Sequence, residues 1–527
     1  MLRQLTDQDV TYLYFETVET PAHVGGLSLV EMAPGGRESF FDDYKRLIAN
    51  RMPHIPFMGA KLGFVPFDLD RPFWVKDEHF DLDHHVRHVT APSPGRMQEL
   101  EDLVALLHAA LLDRTRPLWE LYVIDGLESG QVAIYSKIHH AAMDGASSRA
   151  LMTTMYDLTP ATRTFPDAPP DDGKNRGDFK NVVEGLLGHV ARQEIRALKF
   201  VPQLLTAFSE LLLPKVDTLR WENVPGSPPT PRTVFNVGIT NQRSYATVTL
   251  PLGVFKSIAK QTDTKINDVV LAVCSGALRS YLGARGQLPA QSLTAMVPVS
   301  NRDKGDDAVA NQNGMFSCTL ASDIVDPVER LQAIHRSSVD QKKRFEALKT
   351  LPSPDVSVPG MSIIMPQLVE LFGRSSLADR MPLYANLVIS NVPGPPVPLY
   401  VSGAKILSMY PCSIAFHGAA LNITVQGYCD RLDFGLIACR RAVPDVRGIA
   451  GALAESLAEL TKALNGGKTH DESNPGSTPP DRTCPAPDQR PAAGPARDAR
   501  EGEAPRHRHP KAPREPSQGH RSPALRE

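Results

Sequence analysis

Stretches that lack a regular hydrophobic pattern divide this chain and limit what it can fold into. Proline and aspartate cluster around residues 159–176, proline recurs at 225–231, and apolar side chains become rare after residue 466. Such clusters are typical of exposed linkers, and the final stretch cannot bury enough apolar area to offset its ordering entropy. We therefore predict four regions: a folded region at 1–165, a linker at 166–232, a second folded region at 233–465 and a disordered tail at 466–527.

The length and composition are those of a protein with more than one folded unit. The chain has 527 residues, which exceeds what a single hydrophobic core usually organises. Apolar residues make up 42% and charged residues 22%, as in ordinary globular proteins. The net charge of -2 shows no preference for polyanions, so we do not expect a nucleic-acid partner.

The cysteines and the hydropathy pattern predict the compartment. None of the six cysteines forms a CxxC pair, and most lie in apolar stretches, as expected of buried reduced thiols in the cytoplasm. The N-terminal segment lacks the apolar core of a signal peptide, and no uninterrupted apolar run reaches the roughly 18 residues of a spanning helix. We expect a cytoplasmic protein, with any contact to a membrane or lipid droplet being peripheral.

Two segments are candidates for such a surface contact. Between residues 178 and 213, apolar side chains recur at near-helical spacing among lysines and arginines, which predicts an amphipathic helix in the linker. We expect this helix to pack against a folded region, with a membrane surface as the alternative. The end of the tail is basic, with Arg506, Arg508 and Lys511; we expect it to be solvated, with contact to anionic headgroups as the alternative.

Both patterned regions mix strands with helices. In the first, residues 131–138 are typical of a strand and residues 147–158 of the helix after it. In the second, residues 267–282 carry an apolar stripe at helical spacing, and residues 421–426 alternate as a strand does. The sequence therefore predicts an α/β protein.

The most informative segment lies where the first of these strands ends. His139 and His140 are adjacent there, and Asp144 and Gly145 follow them. Because successive strand side chains point to opposite faces, the two histidines are expected on opposite faces of the sheet. They cannot both have the same role.

His140 is our candidate general base. A neutral imidazole with a pKa of about 6.5 can take a proton from a hydroxyl group at cytoplasmic pH, which acyl transfer from a thioester to an alcohol requires. The imidazolium can then protonate the departing thiolate, so the reaction needs no covalent acyl-enzyme. A structural histidine pair is one alternative; a metal site is another, although no further ligand stands at a familiar local spacing.

Asp144 and Gly145 are assigned supporting roles. Asp144 either holds the imidazole tautomer or turns away and braces the loop by pairing with a distant arginine, and we favour the bracing role. Gly145 allows a sharp turn from strand to helix.

Several ordered motifs resemble those of one enzyme family. The segment from His139 to Gly145 has the pattern HHxxxDG, and Pro117-Leu118-Trp119-Glu120 precedes it. Asn267-Asp268 and Ser390-Asn391-Val392-Pro393-Gly394-Pro395 follow in the same order. Over roughly residues 1–462 the chain resembles the bacterial wax ester synthase and diacylglycerol acyltransferase family.

This resemblance implies a fold and an activity. The fold is that of CoA-dependent acyltransferases such as chloramphenicol acetyltransferase, an α/β fold with two lobes, mixed sheets and a tunnel through their interface. The activity is transfer of a long-chain acyl group from the co-substrate acyl-CoA to diacylglycerol, giving triacylglycerol, or to a fatty alcohol, giving a wax ester. No cofactor and no metal are expected.

The resemblance also implies roles for individual residues. It makes His140 the base and suggests that Asp144 pairs across the lobes, for which Arg302 is our candidate partner. Asn267 either caps the helix that it starts or donates a hydrogen bond to the developing oxyanion. Asn391 is expected to satisfy the turn after it rather than to touch the substrate.

Two other functions compete with this one. A condensation-like enzyme would take its acyl group from a carrier protein, and the PLWE and Asn267-Asp268 segments argue against it. A non-catalytic lipid-binding protein would keep the fold without turnover, and the presence of both His140 and Asp144 argues against that. Residues 309–312 and 416–420 depart from the family pattern and leave the substrate preference open.

Overall fold

The computed structural model describes residues 3–32, 38–64, 71–143, 145–165, 230–300, 313–348, 367–370 and 384–466. All of these residues belong to one structural unit of the chain, Met1–Pro485. The helix predicted at 178–213, the tail from 467 onward, Asp144 and Arg302 lie outside the described residues.

Strands and helices are interspersed along the described residues, as expected of an α/β protein. The strands, β1 to β15 in chain order, are Arg3–Gln4, His23–Glu31, Ala60–Gly63, Phe73–Lys76, Val86–Thr90, Trp119–Asp125, Val132–His139, Arg243–Pro251, Thr294–Ser300, Asn313–Thr319, Leu387–Val392, Tyr400–Val401, Ala404–Cys412, Leu421–Tyr428 and Arg431–Cys439. The helices, α1 to α9, are Asp7–Phe15, Phe40–Arg51, Leu82–His85, Met97–Ala109, Gly145–Met155, Leu252–Thr262, Ile266–Gly283, Pro327–Leu348 and Val446–Gly466.

Four of the predicted elements lie within the described residues and are present there, with small shifts at their ends. The strand predicted at 131–138 is β7, which lies one residue later. The helix predicted at 267–282 is α7, and the strand predicted at 421–426 is β14. The helix predicted to end at residue 158 is α5, which ends at Met155. Its end is explained by Asp157, whose backbone N–H donates to the carbonyl of Tyr400 (2.8 Å) and so leaves the helix.

The first large sheet has the strand order β12-β13-β2-β7-β6-β5. Helices α2 and α5 contribute to the core on one face, together with Ile134 and Ile138 of β7. Helix α4 packs on the other face against Ala133 and Tyr135. This alternation follows from the two-residue period of a strand, and it buries β7 on both sides.

Two strands of this first sheet come from the second half of the chain. Strand β13 pairs antiparallel with β2, from Lys405 opposite Glu31 to Cys412 opposite Gly25, and β12 pairs with β13. The region 1–165 therefore does not contain the complete first sheet. The domain boundaries at 165 and 233 stay predictions.

The second large sheet has the strand order β10-β9-β11-β14-β15-β8. Helix α7 lies at the centre of its core, and residues 268–278 of that helix are all buried. A helix that is apolar on every side must be surrounded, and α6, α8 and α9 pack around α7. This places the start of α7, with Asn267, on a rigid support.

Two further expectations concern cysteines and membranes. Cys274, Cys318, Cys412 and Cys439 are buried free thiols, as the prediction of burial requires, whereas Cys429 is partly exposed. Among the helices of the described ranges, none is long and apolar enough to cross a membrane.

Candidate active site

Strand β7 delivers the two adjacent histidines but ends between them. His139 is the last strand residue, and a 3-10 turn, His140–Ala142, begins at the next one. The backbone N–H of Met143 donates to the His140 carbonyl (3.1 Å), and α5 begins at Gly145. The strand alternation predicted for both histidines therefore extends only to His139, because the turn sets the direction of His140.

The His140 ring lies in a water-poor environment against Tyr12 of α1. The two rings stack at a centroid distance of 3.8 Å and an interplanar angle of 15°. His140 is only partly exposed and its Nδ1 atom is buried, with no side-chain partner among the described residues. Burial, and next the adjacent His139, lowers the pKa of His140 to about 4. The ring is therefore neutral at neutral pH and able to accept a proton.

His139 has a different environment, as the sequence predicted. Its side chain is fully buried, and its Nδ1 accepts a hydrogen bond from the backbone N–H of Ala141 (3.1 Å). In the neutral ring the proton is therefore on Nε2, which lies 3.4 Å from Oε1 of Glu16. The hydrogen bond from Ala141 fixes the Nδ1 side of His139 to the turn, and the Glu16 carboxylate lies next to the other side of the ring.

Glu16 is the anionic centre beneath this turn. Its Oε1 accepts a hydrogen bond from the backbone N–H of Ala22 (3.0 Å), and its Oε2 accepts two from Arg114 (3.1 and 2.7 Å). Burial alone would raise the pKa of Glu16, but His139, Arg114 and the Ala22 N–H outweigh it and lower the pKa to about 2. The carboxylate is therefore charged at all working pH values.

A pair of amides lies at the start of α7. Lys265 is the N-cap and Ile266 the first helical residue, so of the two roles considered for Asn267 the capping role is wrong. The capping carboxylate is Asp268, which accepts a hydrogen bond from the Lys265 N–H (3.0 Å). The side chain of Asn391 in β11 donates to Oδ1 of Asn267 (3.3 Å), so the amide of Asn391 contacts this site rather than the turn that follows it.

A small apolar cavity lies beside β7, on the face that carries Ile138. Its lining includes Tyr44, Ile48, Trp119, Ile138, Leu151 and Met155, from the first sheet and from α2 and α5. The cavity volume is about 40 Å³, which is room for roughly three water molecules. A long acyl chain could enter here only if the lining side chains moved.

The remaining predicted site residues are only partly placed. Gly145 begins α5, in keeping with the predicted turn from strand to helix. Asp144 and Arg302 lie outside the described ranges, so their pairing stays a prediction. Within those ranges, no group of three or more His, Cys, Asp or Glu side chains is placed to hold a metal ion.

Comparison with known families decides among the competing functions. A family model described as "Wax ester synthase/diacylglycerol acyltransferase catalytic domain" matches residues 5–270, and the C-terminal domain of the same family matches residues 309–461. The chain belongs to the wax ester synthase/diacylglycerol acyltransferase family. This confirms the resemblance seen in the motifs and identifies the chain as an acyltransferase.

Relatives of known name cover most of the chain. A probable diacylglycerol O-acyltransferase of Mycobacterium tuberculosis is 36% identical over 471 residues, 86% of this chain and 98% of the relative. The O-acyltransferase WSD of Acinetobacter baylyi is 36% identical over 462 residues, 86% of this chain and 96% of the relative. The similarity therefore extends over both lobes of the enzyme.

Solved structures confirm the two-lobed acyltransferase fold. The wax ester synthase/diacylglycerol acyltransferase of Marinobacter aquaeolei is 31% identical, with a TM-score of 0.63, covering 88% of this chain and 99% of that one. The first condensation domain of the calcium-dependent antibiotic synthetase is only 14% identical, with a TM-score of 0.50, covering 88% of this chain and 96% of that one. The condensation domain shares the fold alone.

Sequence reasoning did not single out three residues that the structure brings to the histidines: Tyr12, Glu16 and Arg114. A signal was present, because Tyr12 and Glu16 are four residues apart at the end of a short helix and so lie on one face. Arg114 stands three residues before the PLWE motif. What the sequence could not give was the contact between α1 and the turn after β7.

Proposed function

We propose that this acyltransferase moves a long-chain acyl group from acyl-CoA to diacylglycerol, and also to long-chain alcohols, with His140 as general base. The observation that supports this proposal is the environment of His140, whose ring is neutral, stacked on Tyr12 and still partly exposed to an incoming hydroxyl. The chemistry assigned to these side chains requires no cofactor.

The reaction proceeds as a direct transfer. His140 takes the proton of the acceptor hydroxyl as its oxygen attacks the thioester carbonyl, which gives a tetrahedral oxyanion. The carbon–sulfur bond then breaks, and the imidazolium returns the proton to the thiolate, releasing ester and free CoA. A pKa of about 4 in the resting site makes the imidazolium a ready proton donor, and negative charge developing on the substrate stabilises it while it exists. Such proton transfer contributes roughly 100-fold to 10,000-fold in rate.

Asn267 is the candidate donor to the oxyanion. Because its Oδ1 accepts a hydrogen bond from Asn391 (3.3 Å), the two N–H groups of the Asn267 amide are the atoms that would donate to the oxyanion. A preorganised donor of this kind contributes up to roughly 3 kcal/mol to the transition state. Asp268 supports the position of Asn267 by capping α7 and by its 2.6 Å contact with His335.

The acceptor is assigned from the relatives and from the apolar surroundings of β7. Related chains carry the names diacylglycerol O-acyltransferase and wax ester synthase, and the cavity beside Ile138 is apolar. Because both acceptors partition into lipid, we also propose that the enzyme works at the surface of a membrane or lipid body. The tunnel between the lobes and the bracing of the loop by Asp144 belong to the same proposal.

The test measures release of free CoA from palmitoyl-CoA, with dioleoylglycerol and hexadecanol offered separately. Wild type is compared with His140→Ala and with a matched control, His79→Ala, in which the histidine is exposed. We expect release that depends on an acceptor, is lost in His140→Ala and is kept in the control. Turnover that persists in His140→Ala would exclude this residue as the base, and absence of turnover with either acceptor would exclude the lipid-ester assignment.

A further inference from the structure

Helix α1 reaches the two histidines through its last turn. It begins behind a capping box formed by Thr6 and Asp9 and ends at Phe15, with Glu16 as its C-cap. Tyr12 and Glu16 lie four residues apart, hence on one face, and contact His140 and His139 respectively. We infer that Tyr12 and Glu16 are positioning residues of the acyl transfer reaction, which hold the His140 ring and the turn that carries it. This inference rests on the proposed role of His140 as base.

Glu16 is coupled to His140 by two separate routes. One route runs through His139, whose Nε2 lies 3.4 Å from the carboxylate and whose Nδ1 accepts the N–H of Ala141 in the catalytic turn. The other runs through Ala22, whose N–H donates to Glu16 and whose carbonyl accepts the backbone N–H of His140 (2.9 Å). One carboxylate therefore fixes the backbone on both sides of the base.

Arg114 makes a buried carboxylate possible at this position. Glu16 is buried, and an unpaired charge there would be very costly. Arg114 donates two hydrogen bonds to Glu16 and one to the carbonyl of Leu13 (2.8 Å), so that it also ties down the end of α1. Arg114 lies just before the PLWE segment in the chain. Its contacts therefore connect the end of α1 to that segment and to the turn that carries the histidines.

Tyr12 acts on the ring itself rather than on its backbone. A near-parallel stack at 3.8 Å restricts rotation of the imidazole plane and keeps water from one of its faces. Burial raises the pKa of Tyr12 to about 12, so the phenol stays neutral and adds no charge next to the base. The aromatic ring, not the hydroxyl, is therefore the part that positions His140.

The apolar packing around the contact explains why it is rigid. Ala141 of the turn lies in one cluster with Val10 and Leu13 of α1 and with Leu118 of the PLWE segment. The helix α1 is thus packed directly against the turn that carries His140. A change in Tyr12 or Glu16 should alter the geometry of the base before it affects substrate binding.

Steady-state kinetics of purified full-length variants with palmitoyl-CoA and hexadecanol test this inference. Tyr12→Phe keeps the stacking ring and Tyr12→Leu removes it, while Glu16→Gln keeps the size and an acceptor oxygen but loses the charge. We expect Tyr12→Leu and Glu16→Gln to lower kcat by roughly 10-fold to 100-fold, the range set by a misplaced catalytic group. KM should change less than about twofold, since substrate binding is not removed, and Tyr12→Phe should recover nearly full kcat.

Matched controls separate positioning from general loss of stability. Phe15→Leu changes an exposed side chain of the same helix, and Glu128→Gln neutralises an exposed glutamate; both should keep kcat within about twofold. A lowered melting temperature with unchanged kcat in Tyr12→Leu and Glu16→Gln, or a Tyr12→Phe variant as slow as Tyr12→Leu, would overturn the inference. If Glu16→Gln does not fold, the two Tyr12 variants decide.

The same experiment distinguishes failure of this inference from failure of the proposed function. Loss of turnover in His140→Ala with normal kcat in Tyr12→Leu and Glu16→Gln would reject the positioning role and keep His140 as base. Turnover that survives His140→Ala would reject the proposed function, and the positioning inference with it.

Discussion

The pH dependence of acyl transfer tests the environment of His140 directly. A general base works only in its neutral form, and burial has lowered the pKa of His140 from 6.5 to about 4. Protonation that stops the reaction should therefore occur near pH 4 instead of near pH 6.5. We expect kcat/KM to remain constant as the pH falls from about 8 to about 5 and to decline only below that.

The expected difference is large enough to measure at a single pH. At pH 5.5, a pKa of about 4 leaves roughly 97% of the imidazole neutral, whereas an unperturbed histidine would be roughly 9% neutral. The wild type should therefore be about tenfold more active at pH 5.5 than an enzyme whose base has an ordinary pKa.

Two titratable groups that approach His140 from α1 do not obscure this result. These are Tyr12, with its pKa raised to about 12, and Glu16, with its pKa lowered to about 2. Neither changes charge between about pH 4.5 and 8. Arg114 donates two hydrogen bonds to Glu16, and the neighbouring His139 lies 3.4 Å from the same carboxylate.

The assay is the initial rate of CoA release at subsaturating palmitoyl-CoA between about pH 4.5 and 8, for wild type and Tyr12→Leu. Removal of the stacked ring admits water to the imidazole, which should raise its pKa toward 6.5 and move the acid limb upward. Samples held at each pH and returned to neutral pH before assay control for unfolding. An acid limb near pH 6.5 in the wild type would refute the argument that burial keeps His140 neutral.

Three further predictions concern stability and the amide pair. His108 is buried with its pKa lowered to about 3, so below pH 6.5 the unfolded chain binds a proton that the folded chain does not. For this residue the urea unfolding free energy should fall by about 0.7 kcal/mol from pH 7 to 6 and by about 1.2 kcal/mol from pH 6 to 5. Asn391→Ala should lower kcat by roughly 10-fold. The double variant Asn267→Ala/Asn391→Ala should be no slower than Asn267→Ala alone, because Asn391 acts through Asn267. Gly435→Ala places a Cβ 1.7 Å from a carbonyl oxygen of β13 and should destabilise by about 3 kcal/mol or more in thermal unfolding, whereas Gly253→Ala, which meets no atom within 4 Å, should not destabilise.

The sequence predicted the parts of this fold that depend on local pattern. The strand β7 and the buried helix α7 have hydrophobic patterns long enough to identify them, and both lie within one residue of their predicted starts. The end of α5 was placed three residues too late, because the signal that stops it is a backbone bridge from Asp157 to Tyr400. A contact between residues so far apart along the chain leaves no trace in the local hydrophobic pattern of the helix.

The same limit applies to the candidate site. The motif singled out His139 and His140, and the strand period correctly indicated that the two differ. It did not indicate that β7 ends at His139, because a 3-10 turn of three residues has no periodicity of its own. A capping role was one of the two alternatives for Asn267 because asparagine is a strong N-cap residue. The structure instead uses the carboxylate of Asp268 in a capping box.

Topology explains why the partners of each site residue were harder to predict than the residue itself. His140 follows a strand of the first sheet, whereas Asn267 and Asn391 belong to elements around the second. The strand β13, from the second half of the chain, lies beside β2 in the first sheet, so the two sheets cannot separate without breaking a ladder of backbone hydrogen bonds. Residues more than a hundred positions apart can therefore be held in fixed relation, and the base can depend on α1, at the beginning of the chain, as strongly as on the motif that contains it.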